Sequence, residues 1–179
     1  MVQAQVLHRL LLVLILVGLI ASIYAAFEVL NPALQGTCSI NSTVSCAAVD
    51  ASSYSNVGPI PDWSIGLGGF IVLLLLDIPL FRTFDPRFLY AIFGLSAAGV
   101  AFAAYFAYLE LVFIHAICPV CTTAHLAGVG VFLVSLTLIR KRRSAEDPDE
   151  TPSPKNKSPG SKNKGSSKAK ARRASESSD

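Results

Sequence analysis

Leu10–Phe27 reads LLLVLILVGLIASIYAAF, an unbroken apolar block without a charged residue. At about 1.5 Å per residue, it is close to the roughly 20 residues that carry a helix across about 30 Å of hydrocarbon. Three runs of the same character follow, over roughly 63–80, 88–112 and 118–139. A membrane-crossing strand would instead need about ten residues of alternating polarity, and none of the runs alternates. The pattern predicts an all-α, integral membrane four-helix bundle over residues 1–140, with helices at about 8–29, 63–81, 88–112 and 118–139 and a loop at 30–62. The first run is long for the apolar part of a signal peptide. No small-x-small cleavage pattern follows it within a few residues, so it is expected to be retained.

Composition agrees. Of 179 residues, 52% are hydrophobic and 15% charged, where a soluble domain carries about 25% charged. That excludes an ordinary soluble enzyme, and the high hydrophobicity excludes a wholly disordered chain. Four cysteines are too few for a disulfide-dense scaffold.

Charge sets the expected orientation. Up to residue 139 the chain holds three Lys/Arg (Arg9, Arg82, Arg87) and six acids (Glu28, Asp50, Asp62, Asp77, Asp85, Glu110). The remaining twelve Lys/Arg follow from Arg140 onward. With four crossings, the N-terminus, the 81–87 connection and the tail share one side, and every Lys and Arg falls there. Basic residues mark the cytoplasmic side, so the loop 30–62 and the turn near 113–117 are expected outside the cytoplasm in a multi-pass cell-membrane protein. Residues 141–179, mostly Ser, Pro, Lys, Gly and Ala, read as a disordered cytoplasmic tail. The expectation is a solvated topological anchor beside membrane lipid, with no specific nucleic-acid binding.

All four cysteines fall on the non-cytoplasmic side, where disulfides persist. Cys38 and Cys46 stand seven residues apart in a Ser- and Asn-rich loop, and Cys118-Pro-Val-Cys121 opens the fourth helix. At a helix start, free N–H groups and the dipole stabilise a thiolate on the leading cysteine. Pro119 suits the first turn, where its missing N–H costs nothing. A polar loop can swing one pair against a fixed one, giving a relay by thiol–disulfide exchange. Two static structural disulfides fit the same count. A metal site fits less well, because Cys-x7-Cys is not a usual zinc spacing.

The outer Cys38-x7-Cys46, the following Ser52-Ser53, Gly58-Pro-Ile-Pro61 leading into the second helix, and Cys118-x-x-Cys121 opening the fourth resemble the vitamin K epoxide reductase family over roughly residues 8–140. Bacterial and archaeal members oxidise thioredoxin-like partners, pass electrons to a membrane quinone and are functional counterparts of DsbB. In DsbB the Cys-x-x-Cys lies in the first outer loop; here it follows the third helix. The resemblance implies that Cys38 takes electrons from a partner thiol, that Cys46 exchanges with Cys118, and that Cys121 faces the quinone. It places Ser52 or Ser53 near the inner pair and Asp62 or Trp63 at the edge of the quinone pocket. Many bacterial members carry a fifth helix and a fused thioredoxin-like domain, of which this sequence has neither. A separate extracytoplasmic thioredoxin-fold, DsbA-like partner is therefore implied, with disulfide bond formation as the role. The electron acceptor would be a menaquinone- or ubiquinone-type substrate, and no metal is implied. Animal members have Tyr four residues after the last cysteine; His125 stands here, one turn from Cys121, where it can donate to a quinol oxygen. Quinone or epoxide reduction for its own sake is the alternative within this chemistry.

Other residues carry blander expectations. Asp77 and Asp85 read as interfacial, Pro79 as a helix end, and Glu28 and Glu110 as hydrated outer termini. His115 reads as lining the outer turn, and Phe102, Tyr105, Phe106 and Tyr108 as packing. The glycines Gly66, Gly68, Gly69, Gly94, Gly128 and Gly130 are expected to allow close helix contact and to leave a flat apolar pocket opening to lipid. Asn41-Ser-Thr43 is a glycosylation sequon.

Overall fold

The computed structural model describes residues 2–83 and 85–146. Each apolar run is a helix, because hydrocarbon offers no water to the backbone and every N–H and C=O must be satisfied within the segment. The long helices are α1 (Val2–Leu30), α3 (Asp62–Thr83), α4 (Pro86–Leu109) and α5 (Pro119–Glu146). Between the first two lie a short helix, α2 (Cys46–Asp50), and an antiparallel hairpin, β1 (Asn56–Val57) with β2 (Ile60–Pro61). The loop at 30–62 is thus partly regular.

The helices overrun the apolar blocks. α1 begins at Val2 and α5 continues to Glu146, so the first residues expected in a disordered tail, from Lys141 to Glu146, are helical. The rest of that predicted tail, from residue 147, lies outside the described residues. Pro79 is inside α3, which runs on to Thr83; the Thr83 hydroxyl donates to the Pro79 carbonyl at 2.8 Å. Asp85 is the N-cap of α4, accepting the Arg87 N–H at 2.9 Å, with Pro86 at the first helical position. The third apolar run ends in a π-helical turn, Glu110–Ile114.

Four helical spans, Gln5–Leu30, Asp62–Leu80, Pro86–Ile114 and Pro119–Ala145, are long and apolar enough to cross a membrane. They close a ring in which α1 and α4 each pack against both α3 and α5. Leu11, Ile15, Leu73, Ile92 and Val131 fill its centre, while Ile20, Phe27, Leu75 and Leu126 stay exposed on its outside. An apolar exterior of that extent calls for a lipid solvent. The α1–α5 contact is close at Gly130, where an added Cβ would lie 2.9 Å from Leu14 Cδ1, and α1 meets α3 at Gly18, where it would fall on the Phe70 ring. The other expected glycines differ. A Cβ on Gly66 would only touch Ser22, and those on Gly68, Gly69, Gly94 and Gly128 would meet nothing within 4 Å.

The end of the bundle that carries α1's N-terminus holds a buried polar pair. Asp77 on α3 is packed inside the protein: it is 3% exposed, and its Oδ1 lies 3.7 Å from His8 Nδ1 on α1. Removing one partner of a buried pair costs about 3–5 kcal/mol, whereas replacing both with apolar groups is often neutral. His8→Leu is therefore expected to lower the unfolding midpoint in detergent, and Asp77→Leu added to it to restore most of the loss. Additive losses in the two variants would overturn that account.

Candidate functional site

The site is assembled from the polar loop and the start of α5. Residues 43–45 pair with the strand-like segment before Cys118: Ser45 N–H donates to Ile117 O at 3.1 Å, and Ile117 N–H to Thr43 O at 2.8 Å. The Asn41 side chain closes the turn before this bridge, accepting from Thr43 and Val44 N–H at 3.0 and 2.8 Å, so the sequon asparagine is a turn former. Ser45 then caps α2, its hydroxyl accepting from Ala48 N–H at 3.1 Å. Cys46 is the first residue of that helix and is 1% exposed. It sits on a short helix and is packed against Val49, Ala116 and Cys118. Cys38 is less buried and lies on the turn beyond Gly36, whose φ of 84° suits glycine.

Both expected pairs form disulfides, Cys38–Cys46 and Cys118–Cys121, with Cα separations of 5.8 and 5.2 Å. The pairs touch: Cys118 Sγ lies 3.2 Å from Cys46 Sγ. The sulfurs of Cys38, Cys46 and Cys118 all fall within 4.8 Å of one another. Cys118 precedes α5, which opens with Pro119, and its sulfur accepts the Cys121 N–H at 3.2 Å. A helix-start N–H thus points at the sulfur that would carry charge when the pair opens.

Carboxylates surround the pairs. Glu28 at the end of α1 is not a hydrated terminus. It is 3% exposed, and its Oε1 accepts from Gly36 and Cys38 N–H at 3.2 and 3.4 Å, tying the Cys38 turn to the bundle. Glu110, also expected at a hydrated end, is buried and hydrogen-bonded to the Cys118 backbone. Asp62 heads α3 and accepts the Trp63 N–H at 2.6 Å. Asp50 closes α2. His115, exposed in the turn, adopts a left-handed φ of 56°.

Beneath Cys121 lies a cavity of about 310 Å³. Phe70, Leu73, Leu95 and Phe102 give it apolar walls, and Asp50, Asp62, Trp63, Cys121 and His125 bring polar or aromatic groups toward the cysteine end. Gly66, Gly69 and Gly128, expected to help leave an apolar pocket, line it, and Gly99 lines it as well. Of the residues expected around a quinone, Asp62, Trp63 and His125 are on the wall. Ser52 and Ser53 are not: Ser53 is exposed, and the Ser52 hydroxyl is buried without a hydrogen-bond partner outside the cavity lining. Phe102 is on the wall, Phe106 is packed inside the bundle, and Tyr105 and Tyr108 face outward. Asp50 was not singled out from the sequence. Its spacing of four from Cys46, one turn of a helix, was the available signal.

A membrane bundle that holds one disulfide at the head of a helix, in sulfur contact with a second, is built for thiol–disulfide oxidoreduction. Residues 9–136 match the Vitamin K epoxide reductase family, and the chain belongs to that family. It is a multi-pass membrane protein and an oxidoreductase. No curated protein gives a match to the chain.

Burial pushes the Asp50 carboxyl up to about 6, with the Asp62 and Glu28 carboxylates adding to the effect. The folded chain therefore holds this proton at pH values where the unfolded chain, near the ordinary 3.8, has released it. Stability is expected to fall as pH rises through that window, because the folded state binds more protons there. Asp50→Asn should flatten the slope, read as unfolding midpoint against pH in detergent. Parallel slopes for the two proteins would sink this assignment.

Proposed function

We propose that the protein oxidises the thiols of a separate extracytoplasmic thioredoxin-fold partner and delivers the electrons to a membrane quinone, supporting disulfide bond formation. In this reading the cysteines face the non-cytoplasmic side and both termini the cytoplasm, as the Lys and Arg distribution favours. The observation that carries it is the 3.2 Å contact between Cys46 and Cys118, with Cys121 on the wall of an apolar cavity.

The steps follow from exposure. A partner thiolate attacks Cys38, the less buried sulfur of its pair, forming a mixed disulfide and releasing Cys46 as thiolate. The partner's second thiol resolves that bond and leaves oxidised. Cys46 attacks Cys118, and the Cys118–Cys121 bond breaks, releasing Cys121 as thiolate beside the cavity. Cys38 then attacks Cys46, re-forming their disulfide and freeing Cys118, and the Cys118–Cys121 dithiol closes to a disulfide as its two electrons pass to the quinone. In sum, a dithiol and a quinone become a disulfide and a quinol, with two protons moved from sulfur to oxygen. During this sequence the Cys121 N–H steadies charge on Cys118.

The quinone is a substrate in this scheme, and the cavity has the chemistry for it. Its phenylalanine and leucine walls suit a flat apolar ring, and His125 and Asp62 offer polar contacts at the cysteine end. Among the described residues, no Lys or Arg lines it.

Purified protein in detergent, supplied with a reduced thioredoxin-fold protein and a short-chain quinone, should reduce the quinone. Cys121→Ser should lower turnover by about a thousandfold or more, as for loss of an essential nucleophile, while staying folded. Failure of the wild type with several quinones and donors, combined with resistance of all four cysteines to reductant, would instead favour a membrane scaffold held by structural disulfides.

A further inference from the structure

Two cavities share one ionisable residue in their linings. The large apolar cavity is lined by Asp50, Asp62, Cys121 and His125 among its titratable groups. A smaller one, of about 190 Å³, is lined by Val29, Gln35, Gly36, Ala47, Asp50 and Ala51. Gln35 and Ala51 are exposed, so the smaller cavity opens on the cysteine-bearing surface. Asp50 is the residue common to both linings.

Reduction of a quinone in the large cavity requires two protons as well as two electrons. The electrons arrive through cysteines, but the cavity walls are apolar and admit protons poorly. We propose that Asp50 is the proton inlet of that cavity, taking protons from water on the cysteine-bearing side and handing them inward. This rests on the quinone reading above. Each passage protonates the carboxylate from the small cavity and returns it to carboxylate on the large one. Two passages supply the quinol's hydrogens, matching the two protons that the partner thiols release to water on the same face. The cycle then moves no net charge across the bundle.

The surroundings support the assignment. Asp50 ends α2, one turn from Cys46, and its carbonyl accepts the Ser55 hydroxyl at 3.0 Å, which holds the residue in place. The charged groups facing it are Asp62 at the head of α3 and Glu28 at the end of α1. Among the described residues, no cation is among the groups that shift it. Its proton affinity, raised to about 6, lets it both take and release a proton near neutral pH. The other groups do not link the two spaces. Asp62 and His125 line the large cavity only, and the Glu28 carboxylate is engaged by Gly36 and Cys38 N–H.

The test separates the two half-reactions. Protein reduced at all four cysteines is mixed with a short-chain quinone, and quinone absorbance is followed across about pH 5–8. Asp50→Asn is expected to slow this step by about a hundredfold and to remove the inflection of the wild-type pH profile. Its disulfide exchange with a reduced thioredoxin-fold protein, without quinone, should be unchanged. Asp50→Glu should restore the quinone step. Quinone-free wild type should also show an infrared carboxyl band titrating near the profile's inflection, absent in Asp50→Asn. Wild-type rates and pH profile in Asp50→Asn would overturn the proposal while leaving the quinone reading intact. A loss shared by the exchange step and not restored by Asp50→Glu would overturn it in favour of a structural role. A wild type that reduces no quinone at any pH would overturn the quinone reading, and this proposal with it.

Discussion

Two backbone hydrogen bonds, between Ile117 and the Thr43–Ser45 segment, hold the redox centre together. They join a loop that enters from α1 to the residue just before Cys118, more than seventy positions away in sequence. Without them, Cys46 would be an ordinary loop cysteine. With them, its sulfur rests against the first sulfur of the Cys-x-x-Cys, and α2 is aimed so that Asp50 reaches the cavity. Main-chain bonds suit this task because they do not titrate and do not change with redox state. The bridge stays intact while the sulfurs beside it exchange partners.

The electrostatic setting is unusual for a thiol relay. Glu28, Asp50, Asp62 and Glu110 gather around the cysteines, and no Lys or Arg occurs between Arg9 and Arg82 or between Arg87 and Arg140. Carboxylates oppose thiolate formation, so stabilisation of negative sulfur falls to backbone N–H groups. The Cys121 N–H directed at Cys118 is one such group. Sulfur on Cys118 is favoured by geometry that neither pH nor salt readily removes. The carboxylates serve other purposes: Glu28 anchors the Cys38 turn, Glu110 engages the backbone of Cys118, and Asp62 heads α3.

The bundle was legible in the sequence because lipid imposes a length and a composition that few other environments do. Its ends were less so. Hydropathy stops at Ile139, but Arg140–Arg143 are good helix formers and the helix continues through them. The Pro119 position and the partner cysteine pairs were also readable, since both depend on local spacing. The contact between Cys46 and Cys118 was not, and came only through family resemblance. Acid burial was the chief miss. Glu28, Asp77 and Glu110 look like surface residues from their place near helix ends, and only tertiary contacts with Gly36, His8 and Cys118 account for their burial. The serines after Cys46 lie off the cavity because α2 ends at Asp50, and the chain turns away there toward the hairpin.

The glycine-lined cavity has a thermodynamic consequence. Gly66, Gly69, Gly99 and Gly128 leave out side chains that would otherwise pack between the helices, and a void among apolar residues weakens a fold in proportion to its volume. An apolar guest restores the missing contacts. The folded state and the filled state are therefore linked, and stability rises with the logarithm of guest concentration above its dissociation constant. The bundle's resistance to unfolding is then a property of the surrounding membrane as much as of the chain, and it varies with the apolar molecules dissolved there.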